Sequence, residues 1–191
     1  MIECTRSQDS LENQEPNRHP ACCCSSFVPS WIPIRHELMI TIEDPTTDCS
    51  KVCEPILRSL PKWFGIEESL LMYVRDADTM PTMLVKDGDD VIGFLTIKMH
   101  FPVSADIHCM AIRPEYHRTG TGTRLIQALE RYLTGQGVKL LQVKTISEDR
   151  ECEAYAKTRQ FYQAMGFIPL EVFPTLWDTD NPCLQLVKPL A

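Results

Sequence analysis

From Met39 onward the apolar positions alternate between runs of period two and stripes of period 3.6, which predicts strands and helices in a definite order. Met39–Ile42 reads as a first strand, and Met39 itself as a usable alternative start. Thr46 or Thr47 is placed to cap a helix running to about Ser59, and Gly65–Glu68 opens a second helix through Val74. Met83–Val85 and Val91–Ile97 flank Asp87-Gly88 as a hairpin, followed by a strand over Val103–Ile112. A helix from about Gly120 to Thr134 carries Leu125, Ile126, Leu129 and Leu133 on one face, with Gly135 at its end. Val138–Ile146 reads as a buried strand and Lys157–Met165 as a short helix. Phe167–Phe173 and Cys183–Val187 complete the sheet.

The order β-α-α-β-β-β-α-β-α-β-β describes one α/β domain with a mixed sheet over residues 37–191. Residues 1–36 lack sustained periodicity and are expected to be a poorly ordered extension. No internal repeat interrupts this plan.

The chemistry concentrates where the strand SADIHCMAI turns through Arg113-Pro114 into HRTGTG and an amphipathic helix. Gly120 and Gly122 let the backbone approach an anion, and the free N–H groups of the first helical turn point at it. Arg118, Thr119, Thr121 and Thr123 offer a positive charge and hydroxyls to the same place. A Gly-x-Gly turn alone also serves loop geometry. No Lys-Ser/Thr follows the second glycine and no third glycine completes a dinucleotide fingerprint, which argues against both common nucleotide folds.

About 40 residues downstream, Arg159–Phe167 places Tyr162 on a short helix closed by Gly166. His117-Arg118-Thr119-Gly120-Thr121-Gly122 and Tyr162-Gln163-Ala164-Met165-Gly166-Phe167 together resemble the GNAT superfamily of acyl-CoA-dependent N-acyltransferases. That family carries Gln/Arg-x-x-Gly-x-Gly/Ala followed by Tyr-x-x-x-Gly-Phe, and here His117 stands where Gln or Arg is usual. The resemblance spans roughly Met39 to the C-terminus.

It implies a single mixed, mostly antiparallel sheet whose central strands, Val103–Ile112 and Val138–Ile146, splay apart around the pantetheine arm of acetyl-CoA. Backbone groups at Met110, Ala111 and Ile112 would pair with that arm, and the pyrophosphate would lie on His117, Arg118, Thr119, Gly120, Thr121, Gly122 and Thr123. The thioester is already activated, so no metal is expected. Tyr162 matches the general acid that protonates the departing thiolate. An acceptor ammonium, pKa ~10, must first lose a proton. Asp106 is the first candidate for that base, since Ala105-Asp106-Ile107 matches the Ala-Glu-Ile of the histone-modifying branch; His108 lies two residues on. Two positions depart from the pattern: Tyr155 replaces a usual Asn seven residues before Tyr162, and Thr158 replaces a usual Ala. By the same analogy the acceptor cleft is expected between Pro61–Gly65 and a loop over Thr175–Pro182, where Trp63 and Trp177 either hold a cation or cap the core.

Composition narrows the partners. A formal charge of −7 disfavours a general nucleic-acid binder and suits a cationic acceptor, either a small amine or a protein. No apolar run reaches the ~18 residues of a membrane span. The acidic N-terminus, with Glu3, Asp9, Glu12 and Glu15, does not resemble a secretory signal. Nine cysteines, an odd count, read as free thiols in a reducing, cytoplasmic setting, with Cys22–Cys24 lacking metal-site spacing. The expectation is a monomeric or homodimeric N-acetyltransferase acting by direct transfer in a ternary complex. A covalent route through Cys109, a non-catalytic acyl-CoA-binding module and a nucleotide-binding regulator are the alternatives.

Overall fold

The computed structural model describes residues 39–190, so the extension over 1–36 and the Cys22–Cys24 cluster lie outside the described residues. Twelve elements follow in chain order: β1 Ile40–Ile42, α1 Ser50–Arg58, α2 Glu67–Thr79, β2 Thr82–Asp87, β3 Asp90–Phe101, β4 Ser104–Ile112, a 3₁₀ turn Pro114–Tyr116, α3 Thr121–Gly135, β5 Leu140–Ile146, α4 Glu153–Ala164, β6 Ile168–Asp178 and β7 Asn181–Pro189. The strands form one seven-stranded sheet in the order β1-β2-β3-β4-β5-β7-β6. Every neighbouring pair is antiparallel except β4–β5.

Two apolar clusters sandwich this sheet. On one face Leu125, Ile126, Leu129 and Leu133 of α3 pack with Tyr162 of α4 against β3, β4, β5 and β7. On the other, Cys53, Ile56 and Leu57 of α1 and Leu70, Val74 and Ala77 of α2 cover Leu84, Phe94, Cys109 and Ala111. Leu129 is fully buried. Leu129→Ala is therefore expected to destabilise the domain by ~2–5 kcal/mol, read as a lower urea midpoint at unchanged slope.

The β4–β5 pairing runs only from Ser104↔Leu140 to Ile107↔Val143. Beyond it β4 continues to Ile112 and β5 to Ile146 without pairing to each other, so the sheet opens into a V. A bulge marks the place: Thr96 pairs with Cys109 and Ile97 with Ile107, leaving His108 as the extra residue of β4. Because the side-chain period is two, the extra residue exchanges the faces. Ala105 and Ile107 join the α3 side, whereas Cys109 and Ala111 join the α1–α2 side.

Several boundaries differ from the sequence expectation. Thr46 forms a β-bridge with Thr82 instead of capping α1. The cap comes from the end of α2, where Asp78 Oδ1 accepts the Ser50 N–H at 2.8 Å. Hydrogen bonds from Ser50 hold the Asp78 carboxyl below its usual range. Helix α2 runs past Val74 to Thr79 because Ala77 continues its buried stripe. Residues 175–178 are strand and not loop, since β6 and β7 meet in a tight turn where Asp178 Oδ1 accepts the Asp180 N–H. Phe167 lies before β6: its N–H bonds the Tyr162 carbonyl at 3.0 Å, and Gly166 at φ +86° makes the left-handed cap of α4.

Candidate active site

At the mouth of the V, the first turn of α3 is left uncapped. Gly120 occupies the cap position at φ +87°, no side chain bonds the helix terminus, and Arg118 also adopts a left-handed backbone at φ +60°. A bulky residue in that conformation is a mark of a constrained ligand-binding turn. The N–H groups of Thr121, Gly122 and Thr123 find no acceptor among the described residues. They form a cradle of the right chemistry for the pyrophosphate of an acyl-CoA.

Not every residue of the turn faces that cradle. His117 Nε2 lies 2.8 Å from the Ile112 carbonyl, so it ties the turn back to β4 and occupies a carbonyl expected to pair with a pantetheine arm. Thr121 is buried and shares a 2.8 Å hydrogen bond with Thr119, whose hydroxyl donates to the Tyr116 carbonyl. The Thr121 hydroxyl is therefore spent inside the fold, which leaves its N–H as the group without an acceptor at the helix terminus. Gly122 is closely packed: a Cβ there would lie 3.2 Å from Phe161 and 3.5 Å from Met110. Gly120 has open space beyond it.

Deeper in the V, Met110 and Tyr162 meet. The Tyr162 hydroxyl lies 4.0 Å from Met110 Sδ, and its ring is wedged between Phe161 and Phe167 at centroid distances of 5.3 and 5.4 Å. Burial, with smaller contributions from Cys109 and Asp106, pushes its phenol above its ordinary value. A phenol in that environment stays protonated at neutral pH.

Asp106 faces the opposite side of β4, at the foot of the V. Its Oδ2 takes Lys144 Nζ at 2.5 Å, His100 Nε2 at 3.3 Å and the Gln142 amide at 3.4 Å, while Oδ1 is buried without a partner. Gln185 donates in turn to Gln142. Lys144 and Gln142 sit on β5 and Gln185 on β7, so the sequence around Asp106 gives no sign of this network. The next polar group along β4 is His108, whose Nε2 lies 2.6 Å from Asp76 Oδ2 on α2 and whose ring meets Tyr73 edge-on at 5.4 Å. Neither Asp76 nor Lys144 was legible as a site residue. The Leu70–Val74–Ala77 spacing is the signal that would have carried α2 far enough to include Asp76.

Trp63, in the α1–α2 connection, lies beside the phosphate turn. Its indole N–H donates to Thr158 Oγ1 at 3.1 Å, its carbonyl accepts the Tyr155 hydroxyl at 2.9 Å, and its ring meets His117 at 5.9 Å. Thr158 and Tyr155 are the two departures from the family pattern. Both hold Trp63, which links the layer of α1 and α2 to α4 beside the phosphate turn. Trp177, 44% exposed on β6, caps no core.

Of the described cysteines, Cys109 and Cys53 are poor nucleophiles. Cys109 is fully enclosed and its thiol is driven up by burial, and the Cys53 thiol is pushed up to about 12 by the same cause. The five described cysteines are free thiols, and no cluster of metal-ligating side chains occurs among the described residues. No described helix is long and apolar enough to cross a membrane.

An uncapped helix terminus at the mouth of a sheet split between two parallel strands defines the acyl-CoA N-acyltransferase class of folds. The match extends to sequence: the pattern of the Acetyltransferase (GNAT) family covers residues 49–167, and the chain belongs to that family. Comparison with curated proteins finds no match. Among solved structures, a GNAT-family protein from Desulfovibrio desulfuricans superposes with a TM-score of 0.69 at 16% identity, over 80% of this chain and 99% of that one. An Elizabethkingia anophelis GNAT acetyltransferase with acetyl-CoA bound gives 0.62 at 16%, over 79% and 98%. An aminoglycoside 6'-N-acetyltransferase from Enterococcus faecium gives 0.62 at 16%, over 79% and 97%. The expected sheet with splayed central strands is thus the fold of this protein.

Proposed function

We propose that the protein transfers an acetyl group from acetyl-CoA to a primary amine by direct attack in a ternary complex. The observation that carries this reading is the V between β4 and β5, with the uncapped α3 terminus at its mouth and the Tyr162 hydroxyl inside it. Acetyl-CoA supplies an activated thioester. The N–H groups of Thr121, Gly122 and Thr123, with Arg118, hold its pyrophosphate, and the free edge of β4 at Met110 and Ala111 accepts the pantetheine arm. The side chains of His117, Thr119 and Thr121 and the carbonyl of Ile112 brace the turn.

Tyr162 gives its proton to the departing sulfur. The acceptor enters from the α1–α2 side, where Asp76 and Asp106 supply negative charge for a cationic amine and Phe64 and Tyr73 supply an apolar wall. Asp106 contributes as a charge fixed by Lys144, for its Oδ2 is engaged and its Oδ1 is closed off from solvent. The free thiols support a reducing, cytoplasmic setting.

Calorimetric titration with acetyl-CoA, CoA and ATP tests the reading. Saturable micromolar binding of the first two and none of ATP is the expected result, followed by acetylation within a panel of primary amines. A folded protein that binds no acetyl-CoA would overturn the proposal. Binding without transfer across the panel would leave a cofactor-sensing module.

A further inference from the structure

We infer that His108 and Asp76 form the proton-accepting pair of the acceptor site, an assignment that rests on the transferase reading above. Four observations converge on it. His108 is the extra residue of the β4 bulge, and bulges re-aim side chains beside functional sites. It is the first residue of β4 beyond the last β4–β5 pair, so it stands at the apex of the V. Its Nε2 is 2.6 Å from Asp76 Oδ2, with side chains 16% and 26% exposed, half-buried and not sealed. The rival carboxylate, Asp106, is already held by Lys144.

A carboxylate on Nε2 fixes the proton there and leaves the lone pair on Nδ1, which has no partner among the described residues. This gives a base on one side of β4 and an acid on the other. His108 belongs to the α1–α2 face and Tyr162 to the α3–α4 face, with the opening between them. In the reaction, Nδ1 takes one proton from the acceptor ammonium and later releases it to solvent. The amine lone pair then forms the C–N bond as the C–S bond breaks. Tyr162 protonates the sulfur and recovers the second nitrogen proton, so the net release is one proton. Asp76 acts through His108 and is a positioning residue.

The titratable groups around the pair are Tyr73 on α2, Cys53 on α1, Asp106 and Cys109 on β4, and Tyr155 and Tyr162 on α4. Lys144 balances Asp106. Asp76 is therefore the carboxylate in direct contact with the imidazole.

The test uses the full chain and two acceptors: an alkylamine, protonated at neutral pH, and an arylamine, already neutral there. His108→Ala is expected to lower alkylamine turnover ~10²–10³-fold and arylamine turnover far less, with acetyl-CoA affinity retained. Asp76→Asn should lower kcat for the alkylamine by a smaller factor, with a rise in its KM from the lost negative charge. Nitrogen NMR of the imidazole reads the pair without any acceptor: Nε2–H is expected in the wild type and a mixture of tautomers in Asp76→Ala. An Nδ1–H tautomer in the wild type, or equal losses for both amines, would overturn the assignment while leaving the transferase standing. Acetyl-CoA binding with transfer to neither amine would end the transferase reading and the pair with it.

Discussion

Tyr162→Phe is expected to lower acetyl transfer by about 10²–10⁴-fold while acetyl-CoA binds as before. The substitution removes one oxygen from a buried ring whose hydroxyl has a single weak partner, Met110 Sδ at 4.0 Å. A hydroxyl buried with so poor an acceptor gives little to stability, so the phenylalanine variant should melt at or slightly above the wild-type temperature. That combination, a large kinetic loss without a folding loss, separates an acid from a packing residue. Burial raises the phenol above its ordinary value, so Tyr162 keeps its proton and its hydrogen-bonding capacity towards a developing thiolate throughout the range in which the enzyme would work. The rate should accordingly show no fall on its account up to its ordinary value of about pH 10. Steady-state rates over pH 6–10, with calorimetric affinity and thermal melts beside them, check all three points. An unchanged turnover number would remove Tyr162 from the chemistry.

What the sequence makes legible here is local. The phosphate turn and the tyrosine helix are each read within about ten residues, because glycine placement and helical spacing are written in neighbours. The face exchange at His108 depends on how β3 pairs with β4, and a bulge leaves no mark in the alternation of SADIHCMAI. For the same reason Asp106 reads as a free carboxylate, although Lys144, 38 residues on, takes its Oδ2. Asp78 capping α1 from the far end of α2 is a third case: an oxygen brought by tertiary packing displaces the threonines that local rules favour. The departures at Tyr155 and Thr158 are visible in sequence, but their shared partner Trp63 is about 90 residues away. Motifs thus mark the proposed cofactor turn, whereas the proposed acceptor side is assembled from long-range pairs.

That division places the largest binding effect at Gly120. Gly120→Glu is expected to weaken acetyl-CoA binding by at least ~10²-fold in a protein that still folds. A Cβ at this position meets nothing within 4 Å, so the fold is not crowded, and the cost of holding a side chain at φ +87° is of order 1–3 kcal/mol. A carboxylate there would occupy the positive end of α3 in place of phosphate oxygens. One like charge about 4 Å away at a protein surface opposes binding by up to ~4 kcal/mol, which exceeds the tenfold step of 1.4 kcal/mol about threefold. Gly120→Asn supplies the control, because asparagine tolerates the left-handed region and adds no charge. It should bind acetyl-CoA far more tightly than the glutamate variant. Gly122→Ala distinguishes the second glycine: its Cβ would press on Phe161 at 3.2 Å, so it should lower the melting temperature as well as the affinity. Calorimetric affinities and thermal melts of the three variants separate charge at the cradle from packing behind it. Equal acetyl-CoA affinity in wild type and Gly120→Glu would place the pyrophosphate elsewhere than on α3.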